Sequence, residues 1–212
     1  MNVETHQPDV RSRILVEATR LFAERGYDGT SIQSVSEAVG IRRPSLLYHF
    51  NSKAELRDAV LANMLAYWKD TLPTILTAAT SGGDRLDKAM SAMAKFFVDD
   101  PNRARLLARE MLDRPDDMRA LFREHLRPWT GLLTGYIRMG QEAGSVRSDL
   151  DPEAWTLQMI TAAIGAVAVG PVGGHMLADA PGIPRQLREL VRTAKASLFN
   201  PRPQPAAAAE ES

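Results

Sequence analysis

The stretch TSIQSVSEAVGIRRPSLLYHFNSKAEL, residues 30–56, decides the fold. It reads as two short helices joined by a tight glycine turn, with a longer helix behind them. Thr30 with Gln33 forms a capping-box pattern that opens the first, and Ile32, Val35 and Val39 are its inward positions. Gly40 ends it and supplies the positive φ that such a turn needs. Ser36 is small where the next helix must cross closely, and Val35, Val39, Ile41 and Leu46 are the apolar contacts that lock the crossing. The second helix begins at Arg43 or Pro44, because a first-turn proline loses no intrahelical bond. Ser52 with Glu55 makes another capping box and opens a helix to about Asp70. Paired short helices of this kind have the geometry of a helix-turn-helix. Arg42 and Arg43 open the second helix with no acid between Val39 and Ala54, a local positive field that suits phosphates. A plain helical hairpin with a solvated arginine pair fits the spacing as well. The Tyr48-His49 pair and the capped Lys53 weigh against that simpler reading.

Helical periodicity continues on both sides, and strand-like alternation is missing. Residues 11–25 carry Ile14, Leu15, Ala18, Leu21 and Phe22 on one stripe, closed by Gly26. Pro73 and Ser81-Gly82-Gly83 interrupt the chain. Further helices are expected over residues 84–98, 101–112, 116–143 with a break at Pro128, 152–169 and 184–199. The chain is thus expected to be all-α, with about nine helices. A flexible segment (residues 1–9) precedes the helix-turn-helix domain (10–51) and a larger helical domain (52–199). The last stretch, 200–212, is rich in proline and alanine and expected to be disordered.

Composition narrows the function. Formal net charge is zero over 212 residues, so any affinity for nucleic acid must come from a local cluster. There is no cysteine, and the four histidines are scattered, so no metal site is expected. Paired catalytic carboxylates, a nucleophile with its base and a phosphate-binding glycine loop are all missing, which argues against an enzyme and against a bound cofactor. Residues 154–178 contain no Asp, Glu, Lys or Arg, a length that could span a bilayer. Gln158, Thr156, Thr161, Pro171 and Gly173-Gly174 interrupt its apolarity, so a buried helix is the better expectation and no membrane partner is assigned. The first residues are polar and do not read as a signal peptide, which makes the expected location cytoplasmic.

The run ILVEATRLFAERGYDGTSIQSVSEAVGIRRPSLLYHFNSKAEL, residues 14–56, resembles the TetR family of bacterial regulators. The shared features are an aromatic after the first-helix glycine, a Thr-Ser cap, the turn glycine, LYHF-like residues and SKxxL. SVRSDLDPEAW, residues 145–155, also looks like the family's entry into its late dimerisation helices. The resemblance implies that Thr30 and Ser31 bind a phosphate at a helix start. It places Arg42, Arg43, Pro44 and Ser45 at the groove-facing start of the recognition helix. Arg43 is then the candidate for a guanine edge, Arg42 for a phosphate. Tyr48 and His49 are implied to meet backbone or base methyl groups, and Lys53 a phosphate. One departure stands out. Members commonly place tyrosine directly after the recognition-helix leucine, where this chain has Leu47. Tyr48 is therefore turned by about 100°, and serves either as a DNA contact or as a partly buried brace.

For the remaining chain the resemblance implies a helical ligand-binding and dimerisation domain. Met93, Phe97, Met111, His125, Trp129 and Tyr136 are candidates to line an apolar pocket, although such a stripe also describes ordinary core. Arg103, Arg105, Arg109 and His125 offer either an anion site or solvated charge. Small residues in 152–169, with Trp155, Met159, Ala162 and Ala166, and Leu187, Leu190 and Ala194 from the last helix, suit a four-helix homodimer contact. Such a dimer would hold two recognition helices ~34 Å apart on a palindrome. The expected function is a ligand-responsive repressor acting on double-stranded DNA. A regulator without a small-molecule effector is the second reading, and a helical enzyme or carrier a remote third.

Overall fold

The computed structural model describes residues 9–176 and 182–200. Those residues form eleven α-helices and one 3-10 turn, two more helices than expected, and no strand. The expected disorder at residues 1–8 and 201–212 lies outside the described residues. Asn200, assigned to the tail, is instead part of the body: its amide donates to the Ser145 carbonyl at 3.3 Å.

Helix α1 (Val10–Arg25) starts at Asp9, whose carboxylate accepts from the Ser12 amide at 2.6 Å. It stops at Gly26, where φ 74 and ψ 174 fall in a region open essentially to glycine alone. Helix α2 (Ile32–Val39) corrects the expected cap. Its N-cap is Ser31, which exchanges side-chain and backbone bonds with Ser34, so neither Thr30 nor Gln33 takes part in the box. Helix α3 (Arg43–His49) follows the turn at Gly40.

The connector α4 (Lys53–Thr77) runs past the expected end at Asp70 and straight through Pro73. An interior proline costs ~3 kcal/mol. Leu72 and Leu76, at 1% and 2% exposure, continue the buried stripe from Leu65 and Trp68. Burying two leucines returns about 3–6 kcal/mol, enough to keep the helix going.

Helix α5 (Gly82–Asp99) is capped by Ser81, and α6 (Pro101–Asp113) by Asp100. Helices α7 (Pro115–His125) and α8 (Arg127–Glu142) are separated at Leu126, where the break was expected near Pro128. Helix α9 (Pro152–Ala168) is capped by Asp151 and followed by the short α10 (Gly170–Gly173) and the 3-10 turn Gly174–Met176. The last helix is α11 (Gly182–Leu198). No single described helix is long and apolar enough to cross a membrane, and the α9–α10 pair is bent by 69°.

One apolar core runs without interruption from Ile14, Phe22, Val35 and Leu46 through Leu56, Leu61 and Trp68 to Phe97, Leu106, Trp129 and Ala163. The helix-turn-helix is therefore fused to the larger helical body. A second cluster of Leu86, Met90, Ile137, Trp155, Ala194 and Leu198 ties α5, α8, α9 and α11 together.

Three of the seven residues expected at the dimer contact need correction. Trp155, Leu187 and Ala194 are buried inside the single chain, and the Trp155 indole donates to Ser197 Oγ at 3.0 Å. Met159, Ala166 and Leu190 are half-buried, and Ala162 alone of the expected seven is exposed. Ala163 lies in the main core, where α9 packs on α6 as well as on α11. The outward face of α9 is formed by Ala154, Leu157, Gln158, Thr161 and Ala162, continued by Val169 and Val172.

Candidate nucleic-acid interface

Helix α3 is held by its own apolar side. Leu46 and Phe50 are buried, at 0% and 2% exposure, against α1 and α2 residues such as Ile14 and Val39. Gly40 adopts φ 76 and ψ 33, the left-handed conformation, and the Ile41 amide donates back to the Ser36 carbonyl at 2.9 Å. Ser36 is fully buried, and its hydroxyl donates to the Gln33 carbonyl at 2.8 Å. A larger side chain at that crossing would push α3 away from α2.

This anchoring leaves Arg42, Arg43, Pro44 and Ser45 all exposed, with Arg42 as an N-cap that makes no side-chain capping bond. Both guanidinium groups therefore face solvent beside the positive end of the α3 dipole. Two α1 arginines that sequence reasoning passed over support the unit. Arg13 donates to the last carbonyl of α2, at Val39, and the Arg11 guanidinium lies 5.2 Å from the Phe50 ring centroid. Their place at the head of α1 was the signal.

Other expected contacts are redistributed. Thr30 is 1% exposed and its hydroxyl donates to the Leu21 and Gly26 carbonyls, so it is not available to a phosphate. Ser31 is exposed at the α2 start, where the Ile32 and Gln33 amides have no intrahelical partner. Tyr48 is 86% exposed, with its ring edge-on to the half-buried His49 at 5.5 Å, which excludes the role of a buried brace. Lys53 is inward-turned: Nζ donates to the Tyr27 and Thr30 carbonyls at 2.9 and 3.0 Å and lies 4.2 Å from the Tyr27 ring centroid. It staples α4 to the α1–α2 turn, with one donor left over.

Behind this face, a charged joint binds it to the helical body. Arg57 of α4 and Glu110 of α6 are both buried and meet at 2.8 Å, and Arg57 also reaches Asp117 of α7 at 3.0 Å and Asp58 at 3.5 Å. Burial opposes the Arg57 charge, but the Glu110 carboxylate, aided by Asp58 and Asp117, outweighs it and holds the guanidinium above its ordinary value. Tyr27 lies beneath Lys53 and Arg114, each 4.2 Å from its ring centroid. Arg109 lies over Gly26, where a Cβ would come within 3.2 Å of its Nη1. Of the residues considered for an anion site, Arg103, Arg105, Arg109 and His125, Arg103 is drawn away to the Phe96 carbonyl at 2.9 Å.

Of the expected pocket residues, Trp129 and Phe97 belong to an aromatic cluster. Trp129 and Phe97 are buried, while Met93, Met111, His125 and Tyr136 are half-buried. Trp129 stacks obliquely on Trp68 at 5.9 Å, and Trp68 meets Phe96 at 5.3 Å. Tyr136 lies under the Arg85 guanidinium at 4.9 Å, and His125 is 3.8 Å from the Glu124 carboxylate. Trp68 and Phe96, the hub of this cluster, were not singled out from sequence, where they read as connector and core.

Comparison with known proteins agrees with this architecture. Residues 14–60 match the bacterial regulatory proteins of the tetR family, and residues 106–193 match the tetracyclin repressor-like C-terminal domain. The chain is 30% identical over 154 residues to the HTH-type transcriptional repressor KstR2 of Rhodococcus jostii, covering 68% of this chain and 71% of that protein. It is 26% identical over 159 residues to the transcriptional repressor DhaR of a Mycobacterium species, covering 74% and 80%. The structure of the ketosteroid transcriptional regulator KstR2 of Mycobacterium tuberculosis superimposes with a TM-score of 0.72 at 18% identity, over 94% of this chain and 100% of that one.

Proposed function

Because the chain belongs to the TetR family and is a DNA-binding transcriptional regulator, we propose that it is a ligand-responsive repressor that binds a palindromic operator as a homodimer. The observation that carries this reading is the exposed, acid-free start of α3 on a helix-turn-helix whose core continues into the helical body. Arg43 reads a base edge, Arg42 and the Ser31 end of α2 hold phosphates, and Tyr48 reaches the backbone. Repression is supported by the relatives KstR2 and DhaR, both repressors.

Dimerisation uses the outer face of α9, where Leu157 and Val169 are 64% and 60% exposed and no charged residue intervenes between Ala154 and Val169. The outer face of α11 carries Arg185 and Arg188, with Arg192 paired to Glu189, a charged surface less suited to the core of an apolar two-fold contact. The two-fold axis therefore passes beside α9.

Ligand response follows from α4. Its 25 residues form one rod of about 38 Å, with Trp68 in the aromatic cluster and Lys53 stapled to the helix-turn-helix. A ligand that rearranges the cluster tilts the rod and changes the distance between the two recognition helices. The test is selection of bound genomic fragments, followed by sedimentation of the complex. Inverted half-sites about one helical turn apart, bound by two chains, are expected. Unrelated fragments, or a single asymmetric site bound by one chain, would refute the proposal.

A further inference from the structure

Among the described residues, Trp129 Nε1 is the one buried side-chain nitrogen or oxygen without a hydrogen-bond partner. The contrast with Trp155 is instructive, since that indole finds Ser197 Oγ at 3.0 Å. A buried donor left unpaired is destabilising, and a phenylalanine would fill much of the same space without that penalty. The ring lies at the meeting of α4, α5 and α8, against Trp68 and its neighbour Phe96. Half-buried Met93, Met111, Phe122 and Leu133 pack on the same core. Methionine and aromatic walls of this kind reshape readily around an apolar guest.

We propose that the effector is a largely apolar molecule with one neutral carbonyl oxygen, which accepts the Trp129 Nε1–H hydrogen bond. The inference rests on the ligand-responsive reading above and specifies its chemistry. The neutral charge state follows from the donor itself, an uncharged indole N–H, and three cations on the flanking helices already have partners. Arg103 is bound to the Phe96 carbonyl and lies 3.7 Å from Asp100, and Lys95 is paired with Asp99 at 2.7 Å. Arg85 donates to the Leu76 carbonyl at 3.3 Å. A carboxylate brought to Trp129 would lose its hydration and gain one neutral donor in return, an unfavourable exchange. A ketone, ester, thioester or lactone oxygen loses far less and satisfies the orphaned indole.

The test uses three probes of nearly equal size: 2-acetylnaphthalene, 2-ethylnaphthalene and 2-naphthoate. Binding to the full-length protein is followed by NMR of its three tryptophan indole N–H signals, assigned through single Trp→Phe variants. The ketone is expected to move the Trp129 signal downfield and to bind roughly tenfold more tightly than the other two, the value of one neutral hydrogen bond. In Trp129→Phe the ketone and the hydrocarbon should bind alike. Equal binding of these two by the unaltered protein, an unmoved Trp129 signal at saturation, tighter binding of the naphthoate, or no binding of any probe overturns the proposal. Failure of the broader ligand-responsive reading has a different signature: the ketone binds and moves the Trp129 signal, yet operator affinity measured in parallel is unchanged.

Discussion

Removal of the Glu110 carboxylate should be among the most damaging single changes in this protein. Arg57 and Glu110 are 5% and 2% exposed and 2.8 Å apart, so neither charge has water to fall back on. Breaking such a pair costs ~3–5 kcal/mol. Asp117 and Asp58, at 3.0 and 3.5 Å, remain as partners for Arg57 but are themselves 55% and 62% exposed and partly screened. We therefore expect Glu110→Leu near the lower end, ~3 kcal/mol, and Glu110→Gln, which keeps shape and one hydrogen bond, at about half that. The double variant Arg57→Met/Glu110→Leu replaces the pair with apolar volume and should recover most of the loss. Urea unfolding followed by circular dichroism, at one fixed protomer concentration, gives all four corners of the cycle. Glu110→Gln keeps the cycle measurable if Glu110→Leu does not fold. A loss below ~1 kcal/mol in Glu110→Leu, or a double variant as unstable as the sum of the singles, would refute the reasoning that the pair is desolvated and mutually dependent.

Four further expectations concern DNA, stability and assembly. Arg43→Ala should cost ~1–3 kcal/mol of operator affinity and relax preference at one base pair, whereas Lys53→Ala should lower thermal stability as well, because Nζ holds two carbonyls; unchanged stability in Lys53→Ala counts against the staple. Tyr48→Ala should weaken operator binding in a gel-shift titration while stability stays within ~0.5 kcal/mol, since the ring is 86% exposed. Leu157→Arg should convert dimer to monomer in analytical ultracentrifugation, and a dimer that persists would move the two-fold axis away from α9.

Much of the helix-turn-helix was legible residue by residue. Gly40, Ser36, Leu46 and the arginine pair act through local geometry: a positive φ, a close crossing, a first turn without acids. Each is a property of a few neighbouring residues, so spacing alone reveals it. Thr30 and Ser31 mark the edge of that legibility. Both are hydroxyl residues at a helix start, and which one caps the helix depends on where the carbonyls of Leu21 in α1 and of Gly26 just beyond it lie.

Beyond the first domain the chain itself determined helices, their approximate limits and an apolar core, because periodicity and breakers are encoded locally. Tertiary structure alone decided what each face meets. Helix α4 outlasts Pro73 because Leu72 and Leu76 find a core to enter. Trp155, Leu187 and Ala194 look like interface residues until they are seen buried inside the chain, Leu187 in the main core and Trp155 with Ala194 in the second cluster. Arg57 and Glu110, 53 residues apart, carry no sequence signal of their pairing. The physical reason is common to all three: a side chain's energy depends on its desolvation and its partners, and those are set by contacts that sequence spacing does not specify.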